Sequence, residues 1–219
     1  MTISQGEMIV NIRIRTLVGC LVAAIVTDAS AIYLVDTGTP APGPYPTGGP
    51  YWVLYEKQYF AGRFTVSNQE TITEAEGYMQ AMLHTGSVAV SLHTDGGNVP
   101  GSIILTQSFL LQGDRPLGWY GLSNLNWTIN PGVYWISFYP DSVFEGMMPG
   151  KAPNPMSSYA IAGGNTPYNW RDHGPHAYDY LAVGVRVTAI PEVPAGILLP
   201  LGLVLLGIFS KRSNLHRQA

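Results

Sequence analysis

The chain has 219 residues, of which 46% are hydrophobic and only 11% are charged. This apolar, charge-poor composition excludes a disordered chain. A formal net charge of −3 with 11 Lys and Arg argues against a nucleic-acid partner, because phosphate recognition needs clustered basic residues. The length and the high content of Gly and Pro predict one folded domain of short strands joined by tight turns.

Residues 1–31 have the three parts of a secretory signal peptide. A basic region precedes the apolar segment at residues 17–26, and small residues follow at Ala29 and Ala31. This order predicts export through the Sec machinery and cleavage by signal peptidase before Ile32. An uncleaved membrane anchor is the alternative, although the apolar segment is shorter than the roughly 20 residues of a spanning helix.

The single cysteine, Cys20, lies inside this apolar segment rather than after it, which argues against a lipid attachment site. Removal of the signal peptide would leave a mature chain without thiols, and therefore without disulfides, thiolate metal ligands or a cysteine nucleophile. Either Met1 or Met8 can be the true start.

A Pro/Gly-rich leader is predicted over residues 32–50, because residues 37–50 lack apolar periodicity. From there to residue 190, apolar and polar residues alternate with the period of half-buried strands. The predicted strands cover residues 60–67, 71–79, 87–94, 102–109, 125–129, 132–139, 159–162 and 181–189. We therefore expect an all-β fold: a single antiparallel β-sandwich over residues 51–190, jelly-roll-like, flanked by the N-terminal signal peptide and a C-terminal hydrophobic helix.

Several polar residues of this domain are interpreted as surface groups. Glu74 and Glu76 share one face of a strand and cannot lie on opposite sides of a sugar ring, as a glycosidase requires. Residues 95–98 are predicted to form a turn, because the other ligands of a calcium loop are missing. His84 and His93 are isolated in sequence and are also expected at the surface.

Aromatic residues are concentrated at positions 119–135 and 168–180. Sugar rings stack on exposed aromatic side chains, so the candidate polysaccharide-binding residues are Trp119, Tyr168 and Trp170. Burial in the core or anchoring of loops is the alternative interpretation of these residues.

Four possible metal ligands occur within eight residues. They are Asp172, His173, His176 and Asp179. The imidazoles suit a transition metal and the carboxylates suit a harder ion. A polar loop between strands is the alternative, and no cofactor is predicted.

The C-terminus combines a proline-containing motif, an apolar segment and a basic pair. The motif consists of Pro191, Glu192 and Pro194. The apolar segment covers residues 195–209, and the basic pair is Lys211 and Arg212. At about 1.5 Å per residue the apolar segment spans about 22 Å, less than the roughly 30 Å hydrocarbon core, which suits a transient sorting signal. An ordinary membrane anchor with a cytoplasmic basic pair is the alternative.

This tail, residues 191–219, resembles the PEP-CTERM sorting signal of exported proteins in Gram-negative bacteria. The resemblance implies processing by an exosortase, a membrane-embedded cysteine protease, and an association with exopolysaccharide and biofilm. Val193, which separates Glu192 from Pro194, and the seven residues after Arg212 depart from the family pattern. Residues 60–66, 88–101 and 132–138 are similar to the sandwich domains of such proteins, and the family implies no defined reaction.

The sequence thus predicts an exported protein of the cell surface or extracellular matrix with a structural or interaction role. Its C-terminal helix would hold the precursor at the inner membrane. A carbohydrate-binding module is the alternative, and a tail-anchored glycoside hydrolase is the third. We expect no enzymatic activity, and the expected partners are exosortase, signal peptidase, the Sec machinery and extracellular polysaccharide.

Overall fold

The structure is a computed structural model that describes residues 30–41, 51–55, 58–82, 84–140, 143–163, 170–172 and 182–192. In these ranges the chain forms thirteen strands and no helix. Accordingly, the described part of the chain contains no helix that is long and apolar enough to cross a membrane.

The strands are numbered in chain order. They are β1 (Ile32–Asp36), β2 (Tyr51–Tyr55), β3 (Gln58–Val66), β4 (Glu70–Ala81), β5 (Gly86–Asp95), β6 (Pro100–Leu111), β7 (Gly118–Leu122), β8 (Trp127–Ile129), β9 (Gly132–Pro140), β10 (Glu145–Pro149), β11 (Ser158–Gly163), β12 (Trp170–Asp172) and β13 (Val185–Pro191).

All strand pairs are antiparallel. Nine strands form one hydrogen-bonded path in the order β1-β13-β4-β10-β2-β3-β9-β5-β6, and β7, β8, β11 and β12 pair with strands of this path or with each other. We name two parts of the whole sheet. Sheet A contains β1, β13, β4, β7 and β8. Sheet B contains β10, β2, β3, β9, β5, β6, β11 and β12, and it joins sheet A where β10 pairs with the end of β4.

One apolar cluster joins the inner faces of both sheets. Val187 and Ala75 contribute from sheet A, whereas Val90, Ile136 and Phe138 contribute from sheet B, and all are buried. Because side chains alternate along a strand, the neighbours of these residues lie on the two outer faces. A smaller buried cluster, which contains Trp135, lies on the outer face of sheet B.

The fold confirms the all-β class and corrects the predicted leader. Ile32–Asp36 is a strand that pairs with β13, so the sheet begins well before residue 51. The period-2 pattern located eight strands to within a few residues, but it missed β1, β2, β7, β10 and β12. These five have no more than five residues each, and their sequences IYLVD, YWVLY, GWYGL, EGMMP and WRD show no regular alternation of apolar and polar residues.

The turn predicted at residues 95–98 is confirmed. The amide of Gly96 donates a hydrogen bond to the carbonyl of Val99 at 2.9 Å. Gly97 and Asn98 have positive φ angles of 86° and 75°, a conformation that Gly and Asn adopt more readily than other residues. This turn joins β5 to β6.

Candidate functional site

The outer face of sheet A carries charged and aromatic side chains from four neighbouring strands. The register places Asp36 opposite Arg186, and Arg186 opposite Glu76. Their chain neighbours Val35, Val187 and Ala75 are buried in the core, so alternation directs the three charged side chains to the opposite, solvent side. We call this surface the open face.

Four side chains form a row across the open face, which we call the aromatic–arginine ladder. The guanidinium carbon of Arg186 lies 3.9 Å from the centroid of the Trp119 ring and 6.0 Å from that of Tyr33. Tyr78 of β4 is the fourth member, and its ring centroid lies 5.2 Å from that of Trp119. The side chain of Tyr33 is 59% exposed. Among the large hydrophobic side chains that are exposed in the described ranges, it is the one aromatic residue.

Local contacts hold the central guanidinium in place. Nε of Arg186 donates to Oδ1 of Asp36 at 3.2 Å, and this oxygen also accepts the amide of Gly38 at 2.9 Å. A Cβ on Gly121 would lie 2.0 Å from the carbonyl oxygen of Ala75, so only glycine allows β7 to approach β4 this closely beside Trp119. The ladder therefore depends on the register of four strands.

The open face has more carboxylates than cations. Glu74 is exposed and Glu76 is half-buried on the same side of β4. Burial and the neighbouring Glu74 carboxylate raise the pKa of Glu76, whereas the positive charge of Arg186 opposes this shift. The faces of aromatic rings can stack on the C–H groups of a hydroxyl-rich ligand, and the carboxylates and the guanidinium can form hydrogen bonds with its hydroxyls. Both glutamates lie on one strand and one face, so they do not flank a common bond as a glycosidase pair does.

A second group of polar residues lies on the outer face of sheet B. The prediction that His93 is a surface residue is wrong, since this side chain is 0% exposed. Its Nε2 is 2.8 Å from Oγ of Ser137, and its Nδ1 is 3.3 Å from the carbonyl oxygen of Gly101. The carbonyl can only accept, so we assign the proton to Nδ1 and let the Ser137 hydroxyl donate to Nε2. Burial lowers the pKa of His93, consistent with a neutral ring.

Next to His93, an ion pair meets a buried indole. Arg63 binds both oxygens of Asp95, with its Nε at 3.3 Å and its Nη2 at 3.0 Å, and Nε1 of Trp135 donates to the same carboxylate at 2.8 Å. The hydrogen bond from Arg63 is the main cause that lowers the pKa of Asp95. We call these residues, together with His93 and Ser137, the covered cluster.

The serine–histidine contact of the covered cluster has the spacing of a nucleophile and its base. Ser137 is 1% exposed and His93 is 0% exposed, so neither side chain is open to a substrate. The geometry therefore supports a structural role. Sequence reasoning missed this cluster because nothing in the polar side of β5 indicates that other side chains cover it.

The three aromatic candidates have different surroundings. Trp119 is half-buried on the open face. Trp170 on β12 is half-buried and packs edge-on against Tyr59 and His93, with both centroid distances at 5.8 Å, so it covers the outer face of sheet B. Tyr168 lies outside the described residues. Of the two described candidates, Trp119 is thus the one with an open sheet face around it.

The metal site stays a prediction, because three of its four candidate ligands lie outside the described residues. Asp172 ends β12, and His173, His176 and Asp179 lie outside the described residues. Within those residues, no group of three or more His, Cys, Asp and Glu side chains could hold a metal ion.

The sorting and cleavage residues fall at the ends of the described chain. Ala31 is exposed directly before β1, and Pro191 ends β13, whereas Ala29, Pro194, Lys211 and Arg212 lie outside the described residues. Glu192 contacts the body of the domain: its amide donates to the carbonyl of Gln69 at 3.2 Å, and its carboxylate accepts the hydroxyl of Thr71.

Comparison with known proteins adds no family to these observations. No family model matches the chain, and no curated protein matches it.

Proposed function

We propose that the chain is an exported, non-catalytic protein of the cell surface or extracellular matrix that binds extracellular polysaccharide through its open face. In this proposal the domain is a β-sandwich, possible because a single apolar cluster contains the inner faces of sheets A and B. The PEP-CTERM-like tail directs the precursor to an exosortase at the inner membrane.

The aromatic–arginine ladder is the observation that carries this proposal. Tyr33 offers an exposed ring, and Arg186 and Trp119 lie beside it on a sheet surface without a described covering element. Sugar C–H groups pack on such rings, while the hydroxyls can bond to the carboxylates of Asp36 and Glu74.

The ends of the domain are compatible with processing on both sides. β1 begins at Ile32, so cleavage after Ala31 would leave the strand and its pairing with β13 intact. At the other end, Glu192 is bonded to the domain, so cleavage beyond it would release a complete sheet A.

Binding is tested with the full chain in detergent on immobilised bacterial exopolysaccharides, followed by titration calorimetry on the strongest ligand. Trp119→Ala and Tyr33→Ala are each expected to weaken binding by up to about tenfold, the effect of one lost aromatic contact. Val53→Ala removes part of a side chain that is 44% exposed on sheet B, and it serves as the matched control without loss. Unchanged affinity in both aromatic variants, or no affinity for any polysaccharide, would overturn the binding role.

Sorting is tested separately by the intact mass of the protein recovered from its own host. Loss of residues 1–31 and of the tail beyond Glu192 is expected. A mass that still contains residues 195–219 would contradict exosortase processing and indicate an ordinary tail anchor, without bearing on polysaccharide binding.

A further inference from the structure

Strand β6 forms one end of the hydrogen-bonded path. Along one edge it pairs with β5 from Asp95 to Gly86. No described residue pairs with its other edge, so the backbone groups on that side lack a strand partner within the described chain. With 12 residues, β6 is also about twice the usual strand length.

The composition of β6 does not protect this edge. Natural sheets usually block an exposed edge with charged residues, proline or a short strand. Here no charged residue occurs between positions 99 and 113, and Pro100 lies only at the first position. Ile103, Ile104 and Leu110 are 39%, 45% and 69% exposed. Pairing of a further strand with such an edge is favourable, because it satisfies the backbone hydrogen bonds and buries the exposed apolar side chains.

We propose that the partner is a second copy of this chain, paired antiparallel through β6 about a two-fold axis at Gln107. In this register each polar side chain lies opposite a polar one, and each apolar side chain lies opposite an apolar one. The opposed pairs are Gln107 with Gln107, Thr106 with Ser108, and Leu105 with Phe109, all in the part of β6 that pairs with β5 without a register shift. Opposed side chains lie on the same face of the joined sheet, so apolar pairs and polar pairs stack separately.

The sequence favours this register over its neighbour. Moving the axis by one residue, to Thr106, would place Leu105 opposite Gln107, which sets an apolar side chain against a polar one. A two-fold axis also closes the β6 contact, because each copy uses its one free β6 edge and this edge is then occupied. The absence of charge on β6 means that two identical strands meet without repulsion.

Disulfide cross-linking of the full chain tests the register directly. In a Cys20→Ser background, Gln107→Cys is expected to form a disulfide-linked dimer on mild oxidation, because opposed residues of antiparallel strands have Cα atoms about 4.5–5.5 Å apart, within disulfide range. Thr106→Cys should link poorly to itself but efficiently to Ser108→Cys when the two proteins are mixed. Asn130→Cys, an exposed position outside β6, is the matched control and should remain monomeric.

A second measurement tests the driving force. By light scattering in detergent, the wild-type chain is expected to be a dimer, and Gln107→Lys a monomer, because two lysines would meet at the axis. Asn130→Lys adds the same charge elsewhere and should leave the dimer intact. A monomeric wild type, a dimer that survives Gln107→Lys, or equal cross-linking at positions 107 and 130 would each overturn the proposal. None of these outcomes depends on polysaccharide binding.

Discussion

Two outer faces of the molecule use the same three residue types, an arginine, an aspartate and a tryptophan, in different ways. On the open face, Arg186 bonds Asp36 at 3.2 Å, and its guanidinium lies over the ring of Trp119 at 3.9 Å. The side chains of Arg186 and Asp36 are 26% and 35% exposed. Here the cation contacts the aromatic face, and the group remains in contact with water.

In the covered cluster, Arg63 bonds Asp95 at 3.0 Å, and the indole of Trp135 donates its N–H to the same carboxylate at 2.8 Å. Trp135 is 0% exposed. Residue type therefore does not separate a surface that can bind a ligand from one that stabilises the fold. The two ion pairs are similarly exposed, since the side chains of Arg63 and Asp95 are 29% and 24% exposed. The difference lies in the tryptophans: Trp170 of β12 packs over the outer face of sheet B beside the buried Trp135, and no described residue covers Trp119 in this way.

The largest difference between the two faces is expected from the two tryptophans. Trp135→Ala removes a fully buried indole and should lower the free energy of unfolding by about 3–5 kcal/mol, as cavity-forming substitutions do. Trp119→Ala is expected to cost about 1 kcal/mol or less, because the side chain is only half-buried. Urea unfolding followed by circular dichroism measures both. Equal losses would contradict the contrast between an open and a covered face.

The aspartates provide the second test. Asp95→Ala leaves the buried N–H of Trp135 and the guanidinium of Arg63 without their shared acceptor, at an expected cost of about 1–3 kcal/mol. Asp36→Ala breaks a partly exposed ion pair and leaves no buried indole N–H without its acceptor, so about 0–1 kcal/mol is expected. Urea unfolding again measures both losses. A larger loss of unfolding free energy for Asp36→Ala than for Asp95→Ala would mean that Asp36, and not Asp95, is the structurally important aspartate.

The sequence indicated the long strands but not what covers them. Alternation located β5 and β9 because each carries a continuous apolar side. The same alternation assigned His93 to the solvent side, since one strand contains no information about β12, which lies far along the chain. Long-range covering of this kind depends on how distant strands meet, and local periodicity does not report it.

The candidate site was predicted in part for a similar reason. Trp119 stood out because aromatic residues are dense around it. Its contact with Arg186 joins positions far apart in sequence, and it follows from the pairing of β4 with both β13 and β7. The exposure of Tyr33 was hidden because β1 was assigned to the leader. A period-2 search in the segment before residue 51 could have detected it only weakly, since β1 has five residues.

The pH dependence of stability is a third test of the covered cluster. Burial lowers the pKa of His93 below the 6.5 of the unfolded chain. The unfolded state therefore takes up a proton first as the pH falls through 6.5, so the folded state loses stability below this pH and is unaffected above it. The slope contributed by one histidine is at most about 1.4 kcal/mol per pH unit.

This contribution is isolated by comparing variants between pH 5 and 7.5. His93→Gln should reduce the pH dependence of the unfolding free energy, although it lowers stability at every pH. His84→Gln changes an exposed side chain and should leave the dependence as it is in the wild type. An unchanged dependence in His93→Gln would mean that the imidazole is not held neutral by burial.

The smallest effect is expected on the open face, where two carboxylates share one side of β4. Burial is the main cause of the raised pKa of Glu76, and the charge of Glu74 adds to it. Glu74→Gln removes only the second cause, so the pKa of Glu76 should fall but remain above its ordinary value. Carboxyl carbon NMR titration measures the shift, and Glu145→Gln, an exposed substitution on β10, is the control.

Because a raised pKa means that the folded state disfavours the ionised form, Glu74→Gln should also stabilise the fold slightly at neutral pH. An unchanged pKa would show that the two carboxylates are screened from each other by water, and the open face would then present them to a ligand as independent acceptors.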